Sequence, residues 1–326
     1  MTEITLSPQN LAEPTQNLST PLTVLGQGAW GSALAHLARI NNTPVQTWSR
    51  RGKESLEAVV GNAKVILCAI SMKGVAALAA RLKTIPLQPD VIFVTATKGL
   101  DPATKRTPSQ IWQTTFPDHP VAVLSGPNLS KEIDLGLPAA TVIASEDLAA
   151  AETVQELFSS DIFRVYTNTD PLGTELGGTL KNVMAIAVGV CDGLKLGTNA
   201  RSALITRALP EVMRIGTLLG GQAETFYGLS GLGDLLATCT SPLSRNYQVG
   251  YGLAQGKALD EILEELGSTA EGVNTTCVLV DRVYDEGISA PIAWQVYRLL
   301  NGKITPQEAV AALMERELKP EYCDLP

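Results

Sequence analysis

Gly26-Gln27-Gly28-Ala29-Trp30-Gly31 decides the reading of the fold: it follows the apolar run Leu22 to Leu25 and opens a helix-like segment, Ser32 to Ile40. Glycines at this spacing between strand and helix suit a dinucleotide. Gly26 permits the tight turn, Gly28 lets the backbone approach the pyrophosphate, and Gly31 lets helix and strand pack closely. The helix N-terminus adds unpaired N–H groups aimed at the phosphates. Taken alone, the same glycines also read as a plain turn.

The next apolar run, Val45 to Trp48, ends about twenty residues on, where NAD-binding chains carry an acidic residue for the ribose hydroxyl. Here the chain continues Ser49-Arg50-Arg51. Two guanidinium groups can grip a 2′-phosphate, which favours NADP(H) over NAD(H) as the cofactor. A solvated basic turn is the alternative.

Strand-like runs at Leu22 to Leu25, Val45 to Trp48, Val65 to Ile70, Val91 to Thr95, Val121 to Leu124 and Thr141 to Ala144 alternate with helical stretches. This predicts an α/β fold with an N-terminal Rossmann-type, doubly wound, mainly parallel sheet. Only a brief helical segment, Glu54 to Val60, separates Trp48 from Val65, so the sheet is expected to be smaller than usual by a strand. From about residue 172 helical patterns take over: Glu175 to Val190, Ala200 to Leu219, Leu232 to Thr238, Asn246 to Ala254, Leu259 to Leu266 and Thr275 to Glu286. The expected organisation is a flexible N-terminal extension (1–20), a dinucleotide-binding domain (21–172) and an all-helical C-terminal domain (173–326).

With 326 residues, 45% of them hydrophobic, the chain is large enough for two cores, and its net charge of −8 argues against nucleic acid as a partner. Five cysteines without CxxC spacing read as reduced thiols, and His36 and His119 are too few for a metal site. No basic, apolar leader opens the chain, and the apolar run Val183 to Cys191 is too short to span a bilayer. The expectation is a cytoplasmic protein with neither metal nor membrane partner.

Ligands of doubly wound sheets bind beyond the strand carboxyl ends, which singles out Lys98 in Thr95-Ala96-Thr97-Lys98-Gly99 and Asn128 in Ser125-Gly126-Pro127-Asn128. A solvated loop lysine and an ordinary turn are the plain alternatives. Lys181 sits in a helix of otherwise apolar or small residues, where desolvation and a nearby cation would free its amine as a base near neutral pH; a lysine snorkelling from a core helix is the plain alternative. Asp234, in Gly231-Leu232-Gly233-Asp234, puts a carboxylate at a helix start, and Ser244-Arg245-Asn246 puts a hydroxyl, a guanidinium and an amide at the next, which suits a phosphate. N-capping by Asp234 and Ser244 is the structural alternative.

Together with Asn199-Ala200-Arg201-x-Ala203-Leu204-Ile205-Thr206-Arg207 and Leu180-Lys181-Asn182-Val183, these motifs resemble, in order, the soluble bacterial-type NAD(P)-dependent glycerol-3-phosphate dehydrogenases. The resemblance runs from about Leu22 to Leu318. It implies interconversion of sn-glycerol 3-phosphate and dihydroxyacetone phosphate for phospholipid synthesis, with Lys181 as proton acceptor and donor. It further implies that Lys98 touches cofactor and substrate, polarises the carbonyl and depresses the Lys181 pKa. Gly126, Asn128, Asp234, Ser244, Arg245 and Asn246 fall at substrate positions. Ala29, Trp30, Arg50, Arg51, Ser130, Arg245 and Glu271 fall at cofactor contacts, beside Gly26, Gly28 and Gly31. A homodimer is part of the same expectation. Two departures stand out: the short segment between Trp48 and Val65, and Asn128 and Ser130 in place of the usual small hydroxyl residue and alanine. Other readings that the residues leave open are a reductase of another small hydroxy acid and a nucleotide sensor without turnover.

Overall fold

A computed structural model describes residues 21–267, 270–318 and 320–321. The N-terminal extension 1–20 and Cys323 lie outside the described residues.

The first half alternates strand and helix: β1 (Leu22–Leu25), α1 (Ala29–Ile40), β2 (Val45–Trp48), α2 (Leu56–Val60), β3 (Val65–Cys68), α3 (Val75–Leu82), β4 (Ile92–Thr95), α4 (Pro108–Thr115), β5 (Val121–Ser125), α5 (Ser130–Asp134), β6 (Ala139–Ser145), α6 (Leu148–Phe158) and β7 (Phe163–Asn168). β1, β3, β4 and β5 are buried along their whole length, which is why they read as continuous apolar runs. The strands form one sheet in the order β2-β1-β3-β4-β5-β6-β7, parallel except for the β5–β6 pair. Leu25 is in register with both Trp48 and Cys68, and Cys68 with Thr95, so the ends of four strands lie in one row. The strand order reverses between β1 and β3, where a crevice opens above the sheet. Separate apolar cores cover the two faces.

As expected, no strand lies between Trp48 and Val65 among the described residues, only the short helix α2. The sheet still has seven strands, because β7 adds an edge strand absent from the sequence expectation. In β7, Phe163 and Val165 are buried while Arg164 and Tyr166 face out, so it shows no continuous apolar run like those of the inner strands.

The second half is helical among the described residues: α7 (Pro171–Gly193), α8 (Gly197–Leu218), α9 (Asp234–Thr240), α10 (Arg245–Ala254), α11 (Leu259–Leu266), α12 (Glu271–Asp285), α13 (Pro291–Leu300) and α14 (Pro306–Met314). The last two carry no counterpart in the sequence expectation. α7 is the axis of this half. Nearly all its side chains are buried, with Leu180, Val183, Met184 and Ile186 at the centre of one core. A helix apolar all round has partners on every side; α7 packs on α8, α9, α10, α12 and, across the junction, β5.

Candidate active site

The dinucleotide motif folds as its glycines require. Gly26 adopts φ +122, its N–H donates to the Trp48 carbonyl at 2.8 Å, and a Cβ there would overlap the Ala69 carbonyl. Gly28 is the N-cap of α1, with no side-chain cap and no acidic residue in the first turn. A Cβ on Gly28 would meet nothing within 4 Å, so protein packing does not require glycine there, whereas a pyrophosphate lying against the backbone does. The residues present therefore fit a nicotinamide dinucleotide. Gly28, Ala29 and Trp30 line a cavity of about 680 Å³ that runs to Lys98 and Lys181.

Arg50 and Arg51 stand exposed past the end of β2, beside the glycine loop and outside the cavity wall. Gln27 ties the two loops together, donating to Thr47 Oγ1 at 3.0 Å and accepting from Ser49 Oγ at 2.9 Å.

On the opposite wall, Lys98 from the β4 loop and Lys181 from α7 converge on one carboxylate. Lys98 Nζ donates to Asp234 Oδ2 at 2.5 Å, and Lys181 Nζ donates to Asp234 Oδ1 and, at 2.6 Å, to Thr238 Oγ1. Asp234 and Lys181 are buried. Burial pushes the Lys181 ammonium down, Asp234 pulls it back up and the Lys98 charge lowers it, which leaves it at about 8. The capping alternative for Asp234 does not hold: Gly233 is the N-cap of α9, and Asp234 is its first residue, delivered by a π-turn over Leu229–Gly233.

The α10 N-terminus completes the wall. Ser244 does cap it, accepting from the Tyr247 N–H at 3.3 Å. Asn246 is buried, and its Oδ1 accepts the Gly272 N–H at 2.9 Å, which seats Glu271 at the start of α12. Ser244, Arg245, Asn246, Glu271, Asn128 and Ser130 all line the cavity. Gly26, Gly31, Gly126 and Asp234 do not; Asp234 stands behind the lysines, and Gly126 packs against Thr141 of β6. The Asn128 amide is engaged at both ends, donating to the Ala140 carbonyl at 3.1 Å and accepting from Thr141 Oγ1 at 2.9 Å. In place of a small hydroxyl residue it pins the loop to β6.

Sequence reasoning passed over Thr238 and Asn182, which also line the cavity. Thr238 had a legible signal, four residues after Asp234 and so on the same helical face. A second cavity of about 700 Å³ lies among α8, α13 and α14; its wall is mostly apolar and holds none of the sequence-predicted site residues.

Both halves of this geometry match known proteins. Residues 51–151 fit a family model for the NAD-dependent glycerol-3-phosphate dehydrogenase N-terminus and residues 170–311 the model for its C-terminus. A glycerol-3-phosphate dehydrogenase [NAD(P)+] of Acaryochloris marina is 70% identical over 307 residues, spanning 94% of this chain and 99% of that protein. The chain belongs to the NAD-dependent glycerol-3-phosphate dehydrogenase family. A Synechocystis glycerol-3-phosphate dehydrogenase [NAD(P)+] is 66% identical, covering 94% of this chain and 98% of its own. The crystal structure of glycerol-3-phosphate dehydrogenase from Coxiella burnetii superposes with a TM-score of 0.87 at 34% identity, covering 91% of this chain and 99% of that one. Among the described residues of this glycerol-3-phosphate dehydrogenase family member, no group of three or more His, Cys, Asp or Glu could hold a metal, and no helix is long and apolar enough to cross a membrane.

Proposed function

We propose that this NAD(P)-dependent enzyme, which interconverts sn-glycerol 3-phosphate and dihydroxyacetone phosphate, prefers NADP(H) over NAD(H) and uses Lys181 as the proton acceptor and donor. The observation that carries this reading is the pair of lysine ammonium groups held on one buried carboxylate, across a single cavity from a dinucleotide cradle. When bound, the nicotinamide supplies or accepts the hydride at the substrate's C2 carbon. Lys181 then gives its proton to the C2 oxygen in reduction and takes it back in oxidation; its value of about 8 keeps both forms within reach. Lys98 lends a second positive charge to the oxygen as it becomes an alkoxide.

Ser244, Arg245 and Asn246 at the α10 N-terminus suit the substrate phosphate, whose remote binding energy orients the reacting carbon. Ala29, Trp30, Ser130 and Glu271 suit the cofactor, and Arg50 and Arg51 its 2′-phosphate. Residues 21–172 and 173–326 would then act as cofactor-binding and catalytic halves. The same reading makes the protein a cytoplasmic homodimer supplying glycerol 3-phosphate for phospholipid synthesis.

The test is reductant oxidation by purified protein, with dihydroxyacetone phosphate against unphosphorylated dihydroxyacetone. Turnover that requires the phosphate and disappears in Lys181→Ala is expected. Equal use of both ketones removes the phosphate site, and near-normal turnover in Lys181→Ala removes Lys181 from the mechanism.

A further inference from the structure

The two lysines that meet at Asp234 arrive from different halves of the molecule, Lys98 on a loop above the sheet and Lys181 on α7. Their spacing therefore depends on how that loop is registered against the helix. Two buried polar side chains of α7, four residues apart and so on one face, reach across the junction. Thr179 is fully buried, and its Oγ1 accepts the N–H of Gly99, the residue next to Lys98, at 3.1 Å. One turn earlier, buried Glu175 accepts the Ser109 N–H at 2.9 Å through Oε1 and the Ser109 hydroxyl through Oε2.

These two contacts have different targets. Glu175 caps the N-terminus of α4, where Pro108 has no N–H and the Gln110 N–H is taken by Thr107, so the first turn is fully satisfied only when α7 is in place. This anchors the helix. Thr179 instead grips the backbone of the catalytic loop itself. Gly178, between them in sequence, leaves room for the approach: a Cβ there would overlap Ser125 Oγ and lie 3.3 Å from Lys98 Cε. Lys98 is thus laid directly on the helix that carries Lys181.

We propose that Thr179 is a positioning residue of the reaction: by holding the Gly99 backbone on α7, with Glu175 as the fixed anchor one turn away, it sets the distance between the Lys98 and Lys181 ammonium groups. The proposal rests on Lys181 being the proton-transfer group. Lys98 is one of the groups that lower the Lys181 pKa, Asp234 is the group that raises it, and Thr238 and Cys239 are its other neighbours. A loop released from Thr179 carries Lys98 away, so the Lys181 value rises towards its ordinary one.

The experiment is the pH dependence of kcat for Thr179→Val, Thr179→Ser and Lys181→Ala, with thermal melts of each. Oxidation of sn-glycerol 3-phosphate needs neutral Lys181, so its rate climbs with pH through the Lys181 value. Valine keeps the shape and removes the acceptor. It is expected to lower kcat about tenfold, the scale of a small misplacement of a catalytic group, and to move the midpoint of the climb to higher pH. Serine keeps the hydroxyl and restores both. A valine variant that melts earlier but keeps the wild-type midpoint shows a merely structural role and overturns the proposal. If valine yields no folded protein, Thr179→Ala removes the same acceptor and is held to the same shift. Loss of turnover in Lys181→Ala beside an unshifted Thr179→Val overturns this inference alone; turnover surviving in Lys181→Ala overturns the assigned role of Lys181 and the inference with it.

Discussion

Replacing Asp234 by asparagine tests the central electrostatic claim. The carboxylate is 2% exposed and holds two ammonium groups, one of them on a side chain 9% exposed and the other on one 22% exposed. Asparagine keeps the shape but supplies one acceptor where there were two, and its amide hydrogens face a cation. Breaking a buried ion pair from one side costs roughly 3 to 5 kcal/mol, and the partial exposure of Lys98 favours the lower end. At about 2 to 4 °C per kcal/mol for a unit of this size, the melting temperature falls by about 6 to 12 °C. The loss depends on pH, and its sign is fixed. Lys181 sits at about 8 in the folded chain against an ordinary 10.5, so between those values the unfolded chain binds more protons and stability rises with pH. Removing Asp234 takes away the group that holds the Lys181 proton, the folded value drops further, and this window opens at lower pH. The variant is therefore destabilised most below pH 8 and least well above it. On the proposed role of Lys181, reduction of dihydroxyacetone phosphate needs the ammonium form, so the same drop moves its alkaline limb to lower pH. Calorimetry and pH–rate profiles read both effects. A wild-type melting temperature at neutral pH, or a limb that moves upward, refutes the reasoning.

Arg50→Asp combined with Arg51→Ser is expected to raise KM for NADPH and leave NADH little changed, by about 1.5 to 3 kcal/mol per charge-assisted hydrogen bond lost; equal loss for both cofactors, measured in steady-state assays, rejects the assignment. Arg245→Ala should raise KM for dihydroxyacetone phosphate far more than it lowers binding of unphosphorylated dihydroxyacetone, a difference calorimetric titration resolves. Glu211 of α8 is buried and accepts the Ile292 and Ala293 N–H groups at 2.9 and 2.8 Å, and burial raises its carboxyl to about 7. Its folded value lies above the ordinary 4.5, so its contribution is full below that pH and is lost as pH rises through 7. Glu211→Gln should flatten the fall in chemical-denaturation stability over this range; an unchanged slope counts against a buried, raised carboxyl.

The glycine loop, the parallel strands and the helical second half were legible because each rests on local pattern. Gly26 must turn where it stands, and β1, β3, β4 and β5 are mostly apolar and buried along their whole length because both faces of the sheet are covered. β7 was not legible, since only Phe163 and Val165 of its six residues are buried, so it lacks the continuous apolar run by which the inner strands were read. Of the site, Lys98 and Lys181 could be singled out one by one. That Asp234 joins them could not, because the contact spans 136 residues in one case and 53 in the other. Its position at a helix start suggested capping, and only the folded chain shows that Asp234 lies inside α9, its carboxylate turned to the lysines.

The long-range character of that contact explains why the amine lies in so costly a place. An exposed lysine would stay charged far above neutral pH and would give a proton readily but rarely take one. Burial within α7 alone would strip the proton and leave a base without an acid. Asp234 and Lys98 pull in opposite directions on the same group, and the result, about 8, lies where neither protonation state is scarce. With Lys181 in its proposed role, a reaction run in both directions needs that balance. None of the three charges sets it alone, which is why the helical half contributes Lys181 and Asp234 while the sheet contributes Lys98.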